Sequence, residues 1–229
     1  MKKYCVVNFE NKQVINKLEN YGYVCIPTEK SADVSEPISL HADVLYLKTG
    51  KNKIFISECQ KKNIKILEQL GYSVTTVKLN QGYQSECKIN MVLTDESIVC
   101  NPKTCIDYNT FIDGKNVIPV KQGYTKCATI VIDDQNFITE DEGIYSALKK
   151  AGKNCLKIAK GYVSLSGYEY GFIGGASAYL PEINTVLFFG DITIHPDFDR
   201  IKKFFDDIKV NIDLIKDMKL IDLGGCVKL

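Results

Sequence analysis

Short hydrophobic runs alternate with amphipathic segments along most of this chain. Runs such as Tyr72–Leu79 are rich in β-branched residues, which predicts strands. The segment before it, Glu58–Leu70, carries Ile64 and Leu67 on one helical face, and Gly71 follows as a helix stop. The pattern predicts an α/β fold built from short strands and short helices.

The order strand, strand, helix, strand recurs along the chain, and two stretches show the recurrence plainly. Residues 80–95, NQGYQSECKINMVLTD, and 121–134, KQGYTKCATIVIDD, both contain Gln-Gly-Tyr, a cysteine and a hydrophobic run that ends at an acid. The predicted units cover residues 38–79, 80–121, 122–160 and 161–217, with a fifth made of 218–229 plus 1–37.

Equivalent positions in these units recur every 40 to 50 residues, and they are His41, Cys87, Cys127, Ala176 and Cys226. Repeats whose two chain ends complement each other predict one domain over residues 1–229 that closes into a ring, since closure removes exposed sheet edges. An open α/β sandwich is the alternative.

Composition narrows the class of partner. The chain has 229 residues with 29 Lys and Arg against 28 Asp and Glu, so neither nucleic acid nor a charged membrane surface is an expected partner. No apolar run approaches the roughly 18 residues of a membrane span. Nine cysteines without a signal peptide or a secreted disulfide pattern favour free thiols in the cytoplasm. The sequence does not indicate the oligomeric state of the protein.

Three fragments suggest a family. They are His41-Ala42-Asp43, the strand Gly123–Ile132 that contains Cys127, and Asp222–Cys226 with its Gly-Gly pair. Together with the five-unit architecture, these resemble the pentein, or guanidino-group modifying enzyme, superfamily, which includes arginine deiminases and dimethylarginine dimethylaminohydrolases as well as non-catalytic ribosome-binding factors. The resemblance implies a five-bladed β/α propeller of ββαβ repeats.

The resemblance also implies roles for individual residues. Cys127 corresponds to the nucleophile, His41 to the general acid/base, and Asp43 to an acid that binds a guanidinium. Cys226 is the alternative nucleophile, because the family usually carries this cysteine in the last strand of the chain. Cys127 is favoured because its blade is two positions along the ring from that of His41, as in the enzymes, which makes the chain a circular permutation of their usual order.

The implied activity is hydrolysis or group transfer on a small molecule with a guanidine-, amidine- or amide-like group, without a cofactor. His41 and Asp43, two residues apart on a predicted strand, share one face, and an adjacent imidazole is expected to activate the thiol. We expect Asn90 and Ser177 beside the substrate.

A guanidinium is a planar cation that only donates hydrogen bonds, so its site requires more than one carboxylate. Asp43 is one candidate. The two Gly-Gly segments, Gly174-Gly175 and Gly224-Gly225, lack the acid that the family carries there. Three other aspartates contribute only where loops turn them inward. These are Asp133, Asp134 and Asp222.

Two other functions are compatible with the same residues. In a ring, an imidazole and three thiols converge and form a zinc-type ligand set of His41, Cys87, Cys127 and Cys226. Alternatively, the Tyr-rich loop 161–173 forms a recognition surface on a non-catalytic binding protein. The second histidine, His195, precedes a predicted helix and is expected at the surface or as a helix cap.

Overall fold

The computed structural model of the chain describes residues 2–111 and 114–229. Residues 112 and 113, which end the segment 103–113 predicted as a short helix or loop, lie outside the described residues. The strands are β1 (Lys3–Val7), β2 (Tyr23–Pro27), β3 (Tyr46–Gly50), β4 (Lys53–Ser57), β5 (Ser73–Val77), β6 (Val92–Leu93), β7 (Ser97–Cys100), β8 (Asn116–Pro119), β9 (Thr129–Val131), β10 (Asn136–Thr139), β11 (Asn154–Lys157), β12 (Ser177–Leu180), β13 (Thr185–Phe188), β14 (Asn211–Leu214) and β15 (Cys226–Lys228). The α-helices are α1 (Lys12–Asn20), α2 (Ala42–Leu45), α3 (Lys61–Gln69), α4 (Tyr83–Glu86), α5 (Glu142–Lys150) and α6 (Phe198–Asp207).

These strands form five three-stranded sheets with one shared topology, which confirms the predicted mixed α/β organisation in five small sheets. In each sheet the first strand is antiparallel to the second, and the second is parallel to the third. A parallel pair requires a crossover, which a helix supplies in most of the sheets. We number them sheet 1 (β15, β1, β2), sheet 2 (β3–β5), sheet 3 (β6–β8), sheet 4 (β9–β11) and sheet 5 (β12–β14).

Sheet 1 joins the two ends of the chain. Its strand β15 pairs antiparallel with β1, so that Cys226 lies opposite Val7 and Lys228 opposite Cys5. The last residues of the sequence are therefore held beside the first ones, and the segment just before β15 occupies a defined position.

Apolar side chains pack between successive sheets in five separate clusters. Each cluster draws buried residues from two sheets, and one pair from each illustrates this: Val6 with Ile56, Leu47 with Met91, Val99 with Phe137, Ile138 with Phe188, and Leu187 with Val7. Burial of these side chains supplies the main driving force for association of the sheets.

Hydrogen bonds also join the segments that precede the first strands of the sheets. Asp43 N–H donates to the Gly224 carbonyl at 3.0 Å, the Asn90 amide to the Asp43 carbonyl at 2.9 Å, Lys126 N–H to the Asn90 amide oxygen at 2.9 Å, Gly175 N–H to the Cys127 carbonyl at 2.9 Å, and Gly225 N–H to the Gly175 carbonyl at 2.8 Å. The series passes through all five sheets and returns to sheet 1, where it began. It fixes these five segments relative to one another.

The first strands of the five sheets surround a cleft of about 780 Å³. Strands β3, β6, β9, β12 and β15 all contribute side chains to its walls. Asp43 also lines the cleft, and its N–H and carbonyl groups take part in the hydrogen bonds just described.

Two predicted strands begin later than expected. The segment 38–47 contains the short helix α2, because Val44 and Leu45 N–H groups donate back to the His41 carbonyl, and β3 starts only at Tyr46. Similarly, Cys87 ends helix α4 instead of starting a strand, and β6 starts at Val92. Among the described residues, no helix is long and apolar enough to cross a membrane.

A substitution at Gly224 tests how closely the segment before β15 packs against His41. Its φ of +76° is a left-handed conformation, and a Cβ there would lie 2.4 Å from the Cα and Cβ of His41. We expect Gly224→Ala to lower the free energy of unfolding by about 3 kcal/mol or more, since strain and overpacking add. Urea denaturation measures this.

Gly22→Ala is the matched control. Gly22 has a similar φ of +83°, but a Cβ there would meet nothing within 4 Å. It should lose only about 1 kcal/mol from backbone strain. Equal losses in the two variants would contradict the close packing of Gly224 on His41.

Candidate functional site

Four buried side chains meet where the first strands begin. The His41 ring, the Asp43 carboxylate and the Cys127 thiol place ligand-type atoms within 4.8 Å of one another, and the Asn90 amide donates to the Cys127 sulfur at 2.9 Å. All four residues are at most 4% exposed. They come from sheets 2, 3 and 4, so the arrangement exists only after these sheets associate.

Helix α2 explains how two residues that are close in sequence reach the same place. His41 has an extended backbone, and the chain turns immediately after it into the four residues of α2. Asp43 in this turn is anchored through its N–H to the Gly224 carbonyl. The predicted shared strand face is therefore wrong, although the two side chains do come together.

Asp222 supplies a second carboxylate. Its Oδ1 lies 3.6 Å from His41 Nδ1 and accepts from Gly224 N–H at 3.0 Å, while its Oδ2 accepts from Phe172 N–H at 2.9 Å. The neighbouring backbone leaves room only for glycine, because a Cβ at Gly175 would lie 2.0 Å from Oδ1. The Gly-Gly segments thus allow the backbone to approach this acid closely.

Asn90 holds the site together across three sheets. Its amide nitrogen donates to the Asp43 carbonyl and to the Cys127 sulfur, both at 2.9 Å, and its oxygen accepts from the N–H groups of Lys126 and Cys127. All polar atoms of this amide are therefore used to position neighbouring segments. A buried amide with these partners rigidifies the site.

A group of aromatic rings, here called the aromatic cover, packs against the cluster that contains Cys127. We define the cover as Tyr83, Tyr124, Tyr170 and Phe172. The Tyr124 and Phe172 rings pack near Cys127, with their centroids 6.5 Å apart, and the other two rings contact them from outside. The Tyr124 hydroxyl donates to the buried Glu86 at 2.8 Å, which fixes the cover in place.

The electrostatics of the site are unfavourable without a ligand. Neither Asp43 oxygen has a hydrogen-bond partner of ordinary geometry, although the Cys127 thiol is near enough to favour its charged form. Burial raises the pKa of Asp43 to about 6, and the nearby His41 opposes this shift. Burial and the charges of Asp43 and Asp222 raise the pKa of Cys127 well above its usual range.

The structure therefore corrects the expectation of an activated thiolate in the free protein. The Cys127 thiol is in a dry site with two acids, and both conditions favour its protonated form. The hydrogen bond from Asn90 acts in the opposite direction but is a smaller contribution.

Cys226 does not join the other candidates. It lies on β15 and packs in the cluster that contains Cys5, outside the group formed by His41, Asp43 and Cys127. Ser177 lines the cleft, as Asp43 does, and its hydroxyl donates to the Gly174 carbonyl at 3.3 Å.

The predicted zinc ligand set of one histidine and three cysteines is not assembled. Cys87 Sγ donates to the Tyr83 carbonyl at 2.7 Å, because α4 directs this side chain away from His41. In the part of the chain that the structure describes, the group with metal-ligand spacing is His41, Asp43 and Cys127.

Loops decide the positions of the remaining acids. Asp133 accepts hydrogen bonds from Gln135 and Asn136 in its own turn, Asp134 accepts from Glu96 N–H, and both aspartates line the cleft. Of these three aspartates, Asp222 is the one that lies beside His41. His195 is buried, not at the surface, and its Nδ1 accepts from Asp197 N–H next to helix α6.

Asp43 should cost the protein stability at neutral pH. Its folded-state pKa of about 6 lies above the ordinary 3.8, so the penalty is fully present above pH 6 and vanishes below about pH 4. We expect Asp43→Asn to raise the free energy of unfolding by about 1–3 kcal/mol at pH 7.5.

The gain from Asp43→Asn should shrink to about half at pH 5, as measured by urea denaturation at both values. Asp95→Asn is the control, since Asp95 is an exposed aspartate on the cleft wall, and it should change stability little at either pH. A pH-independent effect of Asp43→Asn would contradict the raised pKa.

This chain is similar to known proteins in two respects, a family model that its sequence matches and solved structures that share its fold. The sequence matches the model of a family of unknown function, DUF6873, over residues 6–227. A search of curated proteins finds no match.

The fold of this chain resembles that of several solved structures over nearly its whole length. A dimethylarginine dimethylaminohydrolase from Pseudomonas aeruginosa, a cysteine-to-serine variant complexed with citrulline, superimposes with a TM-score of 0.59 at 10% identity, covering 100% of both chains. The agmatine deiminase of C. jejuni gives 0.57 at 9% identity, covering 99% of this chain and 93% of the other. A dimethylarginine dimethylaminohydrolase adduct with 4-chloro-2-hydroxymethylpyridine gives 0.57 at 11% identity, covering 94% and 93%.

At these identities the likeness concerns the fold, which all three share. The match over residues 6–227 shows that this chain belongs to the family of unknown function DUF6873, and its five three-stranded sheets share the fold of the dimethylarginine dimethylaminohydrolase and agmatine deiminase structures.

Proposed function

We propose that this protein is a thiol-dependent enzyme that hydrolyses, or transfers a group from, the guanidine or amidine of a small molecule. The observation that supports this best is the convergence of His41, Asp43 and Cys127 within 4.8 Å in a buried site. The names of the similar structures, a dimethylarginine dimethylaminohydrolase and an agmatine deiminase, agree with this substrate class.

The proposal includes a closed five-bladed propeller in one domain, residues 1–229, with the blade boundaries predicted from the sequence. The hydrogen bonds that pass through all five sheets and return to sheet 1 support closure, as do the five apolar clusters between successive sheets. The nine cysteines are all free, which supports a reducing compartment such as the cytoplasm.

Asp43 is the proposed anchor for the substrate cation. Its two oxygens lack partners, and a buried carboxylate in that state is costly. A guanidinium or amidinium offers paired N–H donors in a plane, which satisfy both oxygens of a carboxylate at once. The nearby Asp222 adds a second negative charge, as a site for a planar cation requires.

Substrate binding would also prepare the nucleophile. The charges of Asp43 and Asp222 hold the pKa of Cys127 high in the free protein. A bound cation offsets these charges and lowers the pKa of Cys127, so the thiolate forms more readily only when a substrate is present. A nucleophile that is protected until substrate binds is less exposed to unwanted reactions.

In the proposed reaction, the Cys127 thiol gives its proton to His41, and the resulting thiolate attacks the central carbon of the guanidinium and forms a C–S bond. His41 donates a proton to the departing nitrogen as the C–N bond breaks, which releases an amine or ammonia. His41 then takes a proton from water as the water oxygen attacks the same carbon. The C–S bond breaks and returns the Cys127 thiolate.

Asp222 and Asn90 are proposed positioning residues for this sequence. Asp222 faces His41 Nδ1 and would stabilise the protonated ring, which leaves Nε2 for proton transfer. Asn90 fixes the Cys127 sulfur relative to Asp43. Ser177, near Asp43 on the cleft wall, is a proposed contact for the remainder of the substrate.

The test is a panel of guanidines and amidines with and without carboxylates, monitored by release of ammonia or amine. Wild-type protein should turn over at least one of them, and Cys127→Ser and His41→Ala should each lower kcat by at least 10²-fold. Cys59→Ser is the control, because Cys59 lies on the sheet 2 periphery with Ser57 and Gln60 as neighbours, and it should retain activity.

Mass spectrometry of quenched reactions should find the covalent intermediate on Cys127. An adduct on Cys226, or activity that survives Cys127→Ser, would contradict the assignment. Metal content is measured on the same samples, because a zinc equivalent bound through His41, Asp43 and Cys127 would favour a metal site in place of the nucleophile.

A further inference from the structure

Sheet 1 carries three cysteines in a row across its strands, away from the proposed catalytic group. Cys5 on β1 lies directly beside Cys25 on β2, and their sulfurs are 3.8 Å apart. On the other side, Cys226 of β15 is opposite Val7, two residues from Cys5 on the same face of the sheet. Cys226 packs against the hydrophobic cluster that contains Cys5.

The row crosses the sheet from the cleft to the outside. Cys226 is partly exposed and lines the cleft between the sheets. Cys5, in the middle, is fully buried. Cys25 is partly exposed on the third strand of the sheet, the strand that follows helix α1. The buried thiol therefore connects two accessible ones.

The surroundings distinguish the three thiols. The neighbouring Cys226 and Cys25 thiols, together with burial, raise the pKa of Cys5. The neighbouring Cys5 thiol lowers the pKa of Cys226, and the ammonium groups of Lys228 and Lys126 act in the same direction, against burial and Glu182. The Cys5 thiol also lowers the pKa of Cys25.

We propose that Cys226, Cys5 and Cys25 form a redox-active thiol site, in which Cys226 reacts with a hydroperoxide in the cleft and Cys5 resolves the product. A low-pKa thiol that is accessible and adjacent to a second thiol has the features of a redox-sensitive cysteine. The site does not depend on the proposed enzymatic function, since Cys226 lies outside the catalytic group.

The chemistry balances in two steps. The Cys226 thiolate attacks one oxygen of the hydroperoxide, so an S–O bond forms, the O–O bond breaks, and hydroxide or alkoxide leaves. The resulting sulfenic acid is then attacked by the Cys5 sulfur, which yields the Cys5–Cys226 disulfide and releases water. Two electrons pass from the two thiols to the peroxide.

Cys25 extends the site toward the outer side of the sheet. Its thiolate can attack the Cys5 sulfur of the first disulfide, which forms Cys5–Cys25 and returns Cys226 as a thiolate. The exchange requires no further oxidant and moves the disulfide from the cleft side to the partly exposed Cys25. An external thiol reductant then reaches it there.

The experiment uses the full chain and hydrogen peroxide at one to five equivalents. After alkylation of the remaining thiols, non-reducing tryptic peptide mapping distinguishes the three sites, because Cys5, Cys25 and Cys226 fall in separate peptides, residues 4–12, 18–30 and 220–228. We expect Cys5–Cys226 or Cys5–Cys25 linkages to appear at least tenfold faster than oxidation of Cys59.

Variants test the order of events. Cys226→Ser should slow formation of the Cys5–Cys25 disulfide at least tenfold, and Cys5→Ser should leave Cys226 as a sulfenic acid that dimedone traps. Cys155→Ser is the control, because Cys155 is buried in a different cluster, and it should behave as wild type. Circular dichroism checks that each variant folds, and Cys226→Ser, at a partly exposed position, provides the test even where Cys5→Ser does not fold.

Three results would overturn the proposal. They are oxidation of Cys59 before Cys226, formation of the Cys5–Cys25 disulfide at the wild-type rate in Cys226→Ser, and a lack of dimedone labelling at Cys226 in a folded Cys5→Ser protein.

Discussion

The antiparallel pairing of β15 with β1 is the interaction on which the rest of the molecule depends. It holds the end of the chain so that the Gly224 carbonyl accepts from Asp43 N–H and the Asp222 carboxylate lies beside His41. Without this pair, sheet 1 would lose its first strand and the series of hydrogen bonds through the five sheets would be broken. One short strand of three residues thus connects the fold to the site.

The candidate site contains buried ionisable groups that cost folding free energy, and the surrounding fold has to offset this cost. Asp43 is a buried acid without hydrogen-bond partners of its own, and Cys127 sits between carboxylates in a place that water scarcely reaches. Such features persist only where the rest of the structure is over-determined, and they are typical of binding and catalytic sites. Here the Asn90 amide and the five apolar clusters provide that support.

The two cysteines that the sequence offered as alternatives have opposite environments. Cys127 is buried near two acids, which favours the thiol, whereas Cys226 is near two lysines and the Cys5 thiol, which favours the thiolate. We therefore propose different chemistry for the same residue type in one chain: attack on a bound cation in one place and reaction with an oxidant in the other. Because one fold supports many functions, these local differences carry more weight than the architecture.

The five repeats, the α/β class and the candidates His41, Asp43 and Cys127 were accessible from the sequence, because hydrophobic periodicity and repeated motifs are local properties of the chain. The roles of Asn90 and Asp222 were not. Asn90, and not the cysteine three residues before it, reaches Cys127, because helix α4 delays the start of β6. Asp222 turns inward because two glycines let the backbone approach it, and Cys226 turns toward Cys5 because of the strand register. Register, turns and close approaches depend on contacts between distant segments, so only the tertiary structure decided them.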